Sequence, residues 1–140
     1  MNNGTGGLVQ GNPGFESLSV LDFVLGDVDG DGDVDVFLNN QMYVNDGAGS
    51  FTREMSFVAR TLSCADVDGD GDLDLYGVDI QTCGLLMNDG SGHFTLDAQA
   101  FGGLRPSCER SAWADYDGDG DVDLFAGECG GMMVLADLRS

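Results

Sequence analysis

One acidic string occurs three times and restricts the folds open to this chain more than any other feature. It reads GDVDGDGDVDVFLNN from Gly26, ADVDGDGDLDLYGV from Ala65 and ADYDGDGDVDLFAG from Ala114. Each copy sets aspartate at every second position over nine residues, with glycine sixth. Carboxylates so close together repel one another, and Asp and Gly favour neither helix nor strand. A chain that keeps three such strings in register has something that offsets the repulsion.

A second marker runs beside the first: NNGTGGLV from Asn2, NDGAGSFT from Asn45 and NDGSGHFT from Asn88, spaced 43 residues apart both times. Asn and Gly tolerate positive φ, so the marker reads as a tight hairpin turn, and Leu8, Phe51 and Phe94 behind it read as core positions of a strand. DFVLGD, RTLSCAD and SAWAD lead into the acidic strings, and DVFLNN, DLYGVD and DLFAGE leave them. QMYVND, GLLMND and GMMVLAD follow, with SFTREM and HFTLDA after the turns. No helical period is sustained. Adjacent apolar pairs such as Val36-Phe37 and Leu75-Tyr76 predict strands covered on both faces. The small residues before each string, Gly26, Ala65 and Ala114, predict crowding between strands.

Four short strands in a unit of about 43 residues are the signature of a β-propeller blade. The expected fold is all-β, with three four-stranded antiparallel units in one domain spanning 1–140. The repeats cover about 2–44, 45–87 and 88–140. With strands labelled A to D, the acidic string joins A to B and the Asn-Asp-Gly turn joins C to D. Strand parity puts both loops on the same side of the unit.

Charge narrows the partners. The 140 residues carry a net charge of −20, and 15 of the 25 acidic residues lie in the three strings. Nucleic acid is excluded, because phosphate recognition needs clustered Lys and Arg, and an anionic membrane surface is equally unsuited. No apolar run approaches the roughly 18 residues of a spanning helix, so membrane insertion is not expected. Met1 is followed by no basic start or apolar stretch, so no signal peptide is read in the sequence.

Alternating carboxylates around a glycine suit a hard cation, since Ca²⁺ takes about six to eight oxygens and Asp offers charged ones on a short arm. Positions 1, 3 and 5 point inward, the sixth-position Gly32, Gly71 and Gly120 permit the turn, and position 7 offers its carbonyl. An EF-hand would continue to Glu at position 12, where Leu38, Gly77 and Ala126 stand. Asp35, Asp74 and Asp123 instead occupy position 9, and strands flank the loop. The short calcium-binding nonapeptide repeat is excluded by the length of the units.

With DxDxDGxxD between short strands and an NDGxGxF turn downstream, nearly the whole chain resembles the FG-GAP/VCBS repeat family, found in integrin α-chain propellers and bacterial surface proteins. The resemblance implies three Ca²⁺ sites. Side-chain ligands carried over are Asp27, Asp29, Asp31 and Asp35; Asp66, Asp68, Asp70 and Asp74; and Asp115, Asp117, Asp119 and Asp123. Asp33, Asp72 and Asp121 are expected to contribute main-chain oxygens. The calcium is expected to be structural, because each loop joins neighbouring strands of one blade.

The family's rings usually hold six or seven units, and this chain has three. Its segments run D, then two complete ABCD units, then ABC, the phase by which a propeller interlocks its ends. Two readings follow: half of a six-bladed ring closed by homodimerisation, or a stretch of a longer propeller. The expected role is an extracellular or cell-surface module for adhesion or ligand binding, with a protein or glycan partner. The alternative is a carbohydrate-binding lectin, although Trp113, the single Trp, stands where core packing is expected. An enzyme is not expected: His93 is the single histidine, follows a tight turn, and replaces Gly7 and Ser50 of the other copies. Cys64, Cys83, Cys108 and Cys129 form no CxxC pair and so argue against zinc. An even count suits an oxidising compartment. Placed on one propeller face, they are expected to pair Cys64–Cys83 and Cys108–Cys129.

Overall fold

A computed structural model describes residue 15 and residues 22–56, 61–78, 83–97, 99–101, 110–127 and 133–136. The described residues form eleven strands and no helix, and none of them belongs to a helix long and apolar enough to cross a membrane. The first sheet contains β1 (Phe23–Gly26), β2 (Asp35–Leu38), β3 (Gln41–Asn45) and β4 (Phe51–Ser56). The second contains β5 (Thr61–Ala65), β6 (Asp74–Val78), β7 (Cys83–Asn88) and β8 (Phe94–Asp97). The third contains β9 (Arg110–Ala114), β10 (Asp123–Gly127) and β11 (Met133–Ala136). Each sheet is an antiparallel meander in chain order. These are the expected A-to-D units. The strand expected around Leu8 lies outside the described residues, and the three sheets do not close on themselves.

Local chemistry explains the hairpins. Gly47, Gly49, Gly90 and Gly92 all take positive φ in the two Asn-Asp-Gly turns. Asp46 accepts the amides of Ala48 and Ser50 at 2.9 Å, and Asn88 accepts those of Gly90 and Gly92 at 3.2 Å. Between β2 and β3 the chain turns at Asn39, whose φ of 56° is one that Asn tolerates. The Asn39 amide donates to the Asp22 carbonyl at 2.9 Å and ties this turn to the start of β1.

The sheets stack face to face. Val28, Phe37, Met42, Leu62 and Leu75 are buried between the first and second. Val67, Tyr76, Leu85, Leu124 and Ala126 are buried between the second and third, together with Phe101. Along each second strand, alternate residues serve alternate layers: Phe37 and Tyr76 face the following sheet, while Leu75 and Leu124 face the preceding one. All four residues of β2 are buried, as the apolar pair predicted. Fully burying a side chain such as Phe37 contributes about 1.5–3 kcal/mol, so these layers hold the stack. The first strands also lie side by side, β1 against β5 and β5 against β9, with Ser63 and Ser111 hydroxyls 2.7 Å apart.

Crowding explains the small residue before the first acidic string. A Cβ built on Gly26 would lie 2.5 Å from Leu73 Cδ1 of the second sheet. Trp113 is committed to packing, edge-on to Tyr76 at 6.4 Å and donating through Nε1 to Ser63 Oγ at 3.1 Å.

The Cys64–Cys83 pairing is corrected. Cys64 is a free thiol, half-buried beside the first sheet. Register explains why: Cys64 pairs with Leu75 and thereby Leu86, whereas Cys83 lies opposite Val78 and thereby Thr61. The two cysteines are separated by two strand spacings of about 4.8 Å each and three residues of about 3.3 Å each. That exceeds the Cα separation of about 7 Å beyond which a bridge cannot form. Parity alone had placed them on one side of the sheet without regard to rungs. Cys108 and Cys129 lie outside the described residues.

Candidate metal centre

Each acidic string leaves the end of a first strand and returns as a second strand, so its carboxylates curl around their own backbone. Asp27 accepts the amides of Gly30 at 3.0 Å and Gly32 at 2.9 Å. Asp115 does the same with Gly118 at 2.7 Å and Gly120 at 3.1 Å. Gly32, Gly71 and Gly120 have φ of 94°, 99° and 102°, so the sixth-position glycine is required by backbone geometry. Asp29 receives the amide of Asp31, Asp68 that of Asp70, and Asp117 that of Asp119, at 3.2–3.3 Å.

These turns gather the carboxylates. Oxygens of Asp27, Asp29 and Asp31 lie within 4.8 Å of one another, as do those of Asp66, Asp68 and Asp70. In the third loop Asp115, Asp117 and Asp123 meet that limit, so position 9 takes the place of Asp119. Calcium–oxygen bonds are about 2.3–2.6 Å, so oxygens on one ion are at most about 5 Å apart. The donor set therefore fits a hard cation. An independent sign comes from the middle loop: Asp66 Oδ2 accepts the Gly71 amide at 3.1 Å, but Oδ1 is buried with no hydrogen-bond partner. A buried carboxylate oxygen left in this way is costly without a cation beside it.

Position 9 also has a structural part that sequence reading did not foresee. Asp35 and Asp74 are 0% and 1% exposed. Asp35 accepts the amides of Val28 at 3.0 Å and Asn45 at 2.8 Å, and Asp74 those of Val67 at 2.9 Å and Asn88 at 2.8 Å. Asp123 accepts the Tyr116 amide at 2.7 Å. Each carboxylate thus staples the start of the loop, and in two sheets also the end of the third strand, to the second strand. Each oxygen retains a second lone pair for a cation. Asp33 and Asp72 turn their side chains toward Gly47 and Gly90, where a Cβ would meet their carboxylates, so the acidic loop and the hairpin turn share one end of the first and second sheets. Asp121 remains exposed.

Asn88 extends the contact between sheets. Its side-chain amide donates to the Leu73 carbonyl of its own loop at 3.1 Å and to the Val28 carbonyl of the preceding loop at 2.8 Å. Sequence reading found the turn but not this bridge, which spans 60 residues. His93 belongs to the same turn, exposed, with Nδ1 2.8 Å from Ser91 Oγ and 3.8 Å from Asp89. Both neighbours approach one nitrogen, unlike a nucleophile and an orienting acid on opposite sides of a catalytic imidazole.

Burial, partly offset by the amides, raises the Asp35 and Asp74 carboxyls above their ordinary 3.8. Asp72 is raised as well, by desolvation and then by neighbouring carboxylates. Asp46 is lowered by the Ser50 and Ala48 amides, and Asp89 by the Ser91 hydroxyl and amide. In the raised group, the folded chain holds protons that the unfolded chain has released, so stability falls as pH climbs from 3.8 through the raised values. Asp46 and Asp89 act only below 3.8, where their contribution is lost as pH falls. Urea midpoints in EDTA are expected to decline with rising pH just above the ordinary Asp range. A midpoint that climbs there would contradict the assignment.

The comparisons with known proteins agree with this architecture. The FG-GAP-like repeat matches twice, over residues 27–77 and 66–126, so each match spans two successive acidic loops. No curated protein and no solved structure matches the chain. Acidic loops entering second strands, repeated in three like sheets and matched over residues 27–126, place this chain in the FG-GAP-like repeat family.

Proposed function

We propose that the three sheets are blades of a calcium-stabilised propeller module in an extracellular or cell-surface protein, serving adhesion or ligand binding rather than catalysis. The observation that carries this reading is the middle loop, where three carboxylates converge and Asp66 Oδ1 is buried without a partner. Calcium neutralises the converging charge, and Asp27, Asp66 and Asp115 with their neighbours at positions 3, 5 and 9 hold it. The role is structural because each loop fixes the crossing from a first to a second strand. A surface so acidic, with 25 acids to five bases, favours a partner of neutral or basic character.

Isothermal titration of the metal-free chain with Ca²⁺ is the test. Three sites are expected, and Asp70→Ala should remove one while leaving the other two. Absence of a calcium-specific heat, or a stoichiometry unchanged by Asp70→Ala, would refute the reading.

A further inference from the structure

The internal repeat makes the two flanks of the stack comparable with its two internal interfaces. Leu25, Cys64 and Trp113 are equivalent, being paired with Val36, Leu75 and Leu124. On the face that each sheet turns to its predecessor, Leu62 is 6% exposed and Leu75 fully buried in the second sheet. Leu73, eighth in its loop, fills the space over Gly26. In the first sheet the places of Leu62 and Leu73 are open, at Phe23 (60% exposed) and Val34 (52%), with Leu25 beside them at 53%, while Val36, in the place of Leu75, is buried in a cluster against which Phe15 packs. On the face turned to the successor, position 2 of the loop is buried at Val28 (1%) and Val67 (4%), but Tyr116 in the third is 66% exposed. Tyr116 rests edge-on against Phe125 at 5.7 Å. The two flanks of one chain therefore carry the two halves of the interface that joins its own neighbouring sheets.

We infer that a second copy of this chain docks its first sheet on the third sheet of the first copy, and receives the reverse contact in return. The inference rests on reading the sheets as blades. Propellers close with about 4–8 blades, and the described residues of two copies bring three sheets each. The contact is head-to-tail, and two-fold symmetry closes it. The partner copy also completes a site. Asn88 caps the preceding acidic loop through the Val28 carbonyl, and Asn45 holds the same place in the first sheet's turn. A second copy's Asn45 thus caps the Asp115–Asp123 loop at the Tyr116 carbonyl. Phe15 extends the match. It stands 13 residues after Asn2, as Phe101 stands 13 after Asn88. Phe101 meets Tyr76 edge-on at 5.7 Å between two sheets, while Phe15 covers Tyr43 on the open flank, where a second copy's Phe125 takes the place of Tyr76.

Light scattering of the full chain with Ca²⁺ decides it. The expected mass is twice 14.7 kDa. Val34→Arg and Tyr116→Glu, both at exposed positions, should each give a folded monomer by circular dichroism. Val34→Leu and Tyr116→Val, which install the residues of the second repeat, should retain the dimer. A monomeric parent, an open polymer, or a dimer that survives both charged variants would overturn the inference. Calcium calorimetry on the same samples separates the two readings. Three calcium sites on a monomer refute only the docking, and a dimer without calcium heat refutes only the metal.

Discussion

Removing calcium with EDTA is expected to lower the melting temperature by on the order of 20 °C, and restoring calcium to reverse the change. A ligand held only by the folded state stabilises it by RT ln(1 + [L]/Kd), about 2.7 kcal/mol per site at a hundredfold excess. Three independent sites then contribute about 8 kcal/mol, comparable with the about 5–15 kcal/mol of a whole domain. Each kcal/mol moves the midpoint by about 2–4 °C in a chain of nearly this length. Electrostatics acts in the same direction, since the net charge of −20 is concentrated where the carboxylates converge. Magnesium should substitute poorly, because it demands a smaller octahedral shell that these loops do not enforce. Superimposable melts with calcium and with EDTA would remove the structural role assigned to the ion.

The all-β repeat was legible because its punctuation is local. Glycine and asparagine mark turns through their own φ preferences, and the doubly buried second strands appear as adjacent apolar residues. The acidic loops were legible for the same reason: in the first two, positions 1, 3 and 5 come together through hydrogen bonds spanning two to five residues. What escaped the reading depends on register or on distant partners. The failed Cys64–Cys83 pairing came from faces being assigned without rungs. The bridge from Asn88 to the Val28 carbonyl joins different repeats and leaves no local trace. Phe15 and Phe101 shared an offset that could have been found, but position 58 of the intervening copy is Val, which hides the aromatic pattern. The staple role of position 9 also left a signal. A carboxylate that opens a strand buried on both faces must find donors there, and the nearest are the amides of the loop it closes.

That staple supports the second large effect: Asp74→Ala is expected to cost about 2–6 kcal/mol even in EDTA. The substitution leaves the amides of Val67 and Asn88 buried without their acceptor, and each such loss costs about 1–3 kcal/mol. Relief of the buried charge works against this, since burial already raises the Asp74 carboxyl, but the two amides remain unsatisfied whatever its protonation. Asp70→Ala is the informative contrast. Asp70 is exposed and, among the described residues, accepts the amide of Asp72, so its removal should weaken the protein in calcium yet leave the metal-free protein almost unchanged. Urea unfolding of both variants, with calcium and with EDTA, separates a ligand from a staple. Asp70→Ala should shift the midpoint only when calcium is present, and Asp74→Ala should shift it in both conditions. If Asp74→Ala in EDTA unfolds at the midpoint of the metal-free parent, its two amide bonds do not hold loop to strand, and position 9 serves the cation alone.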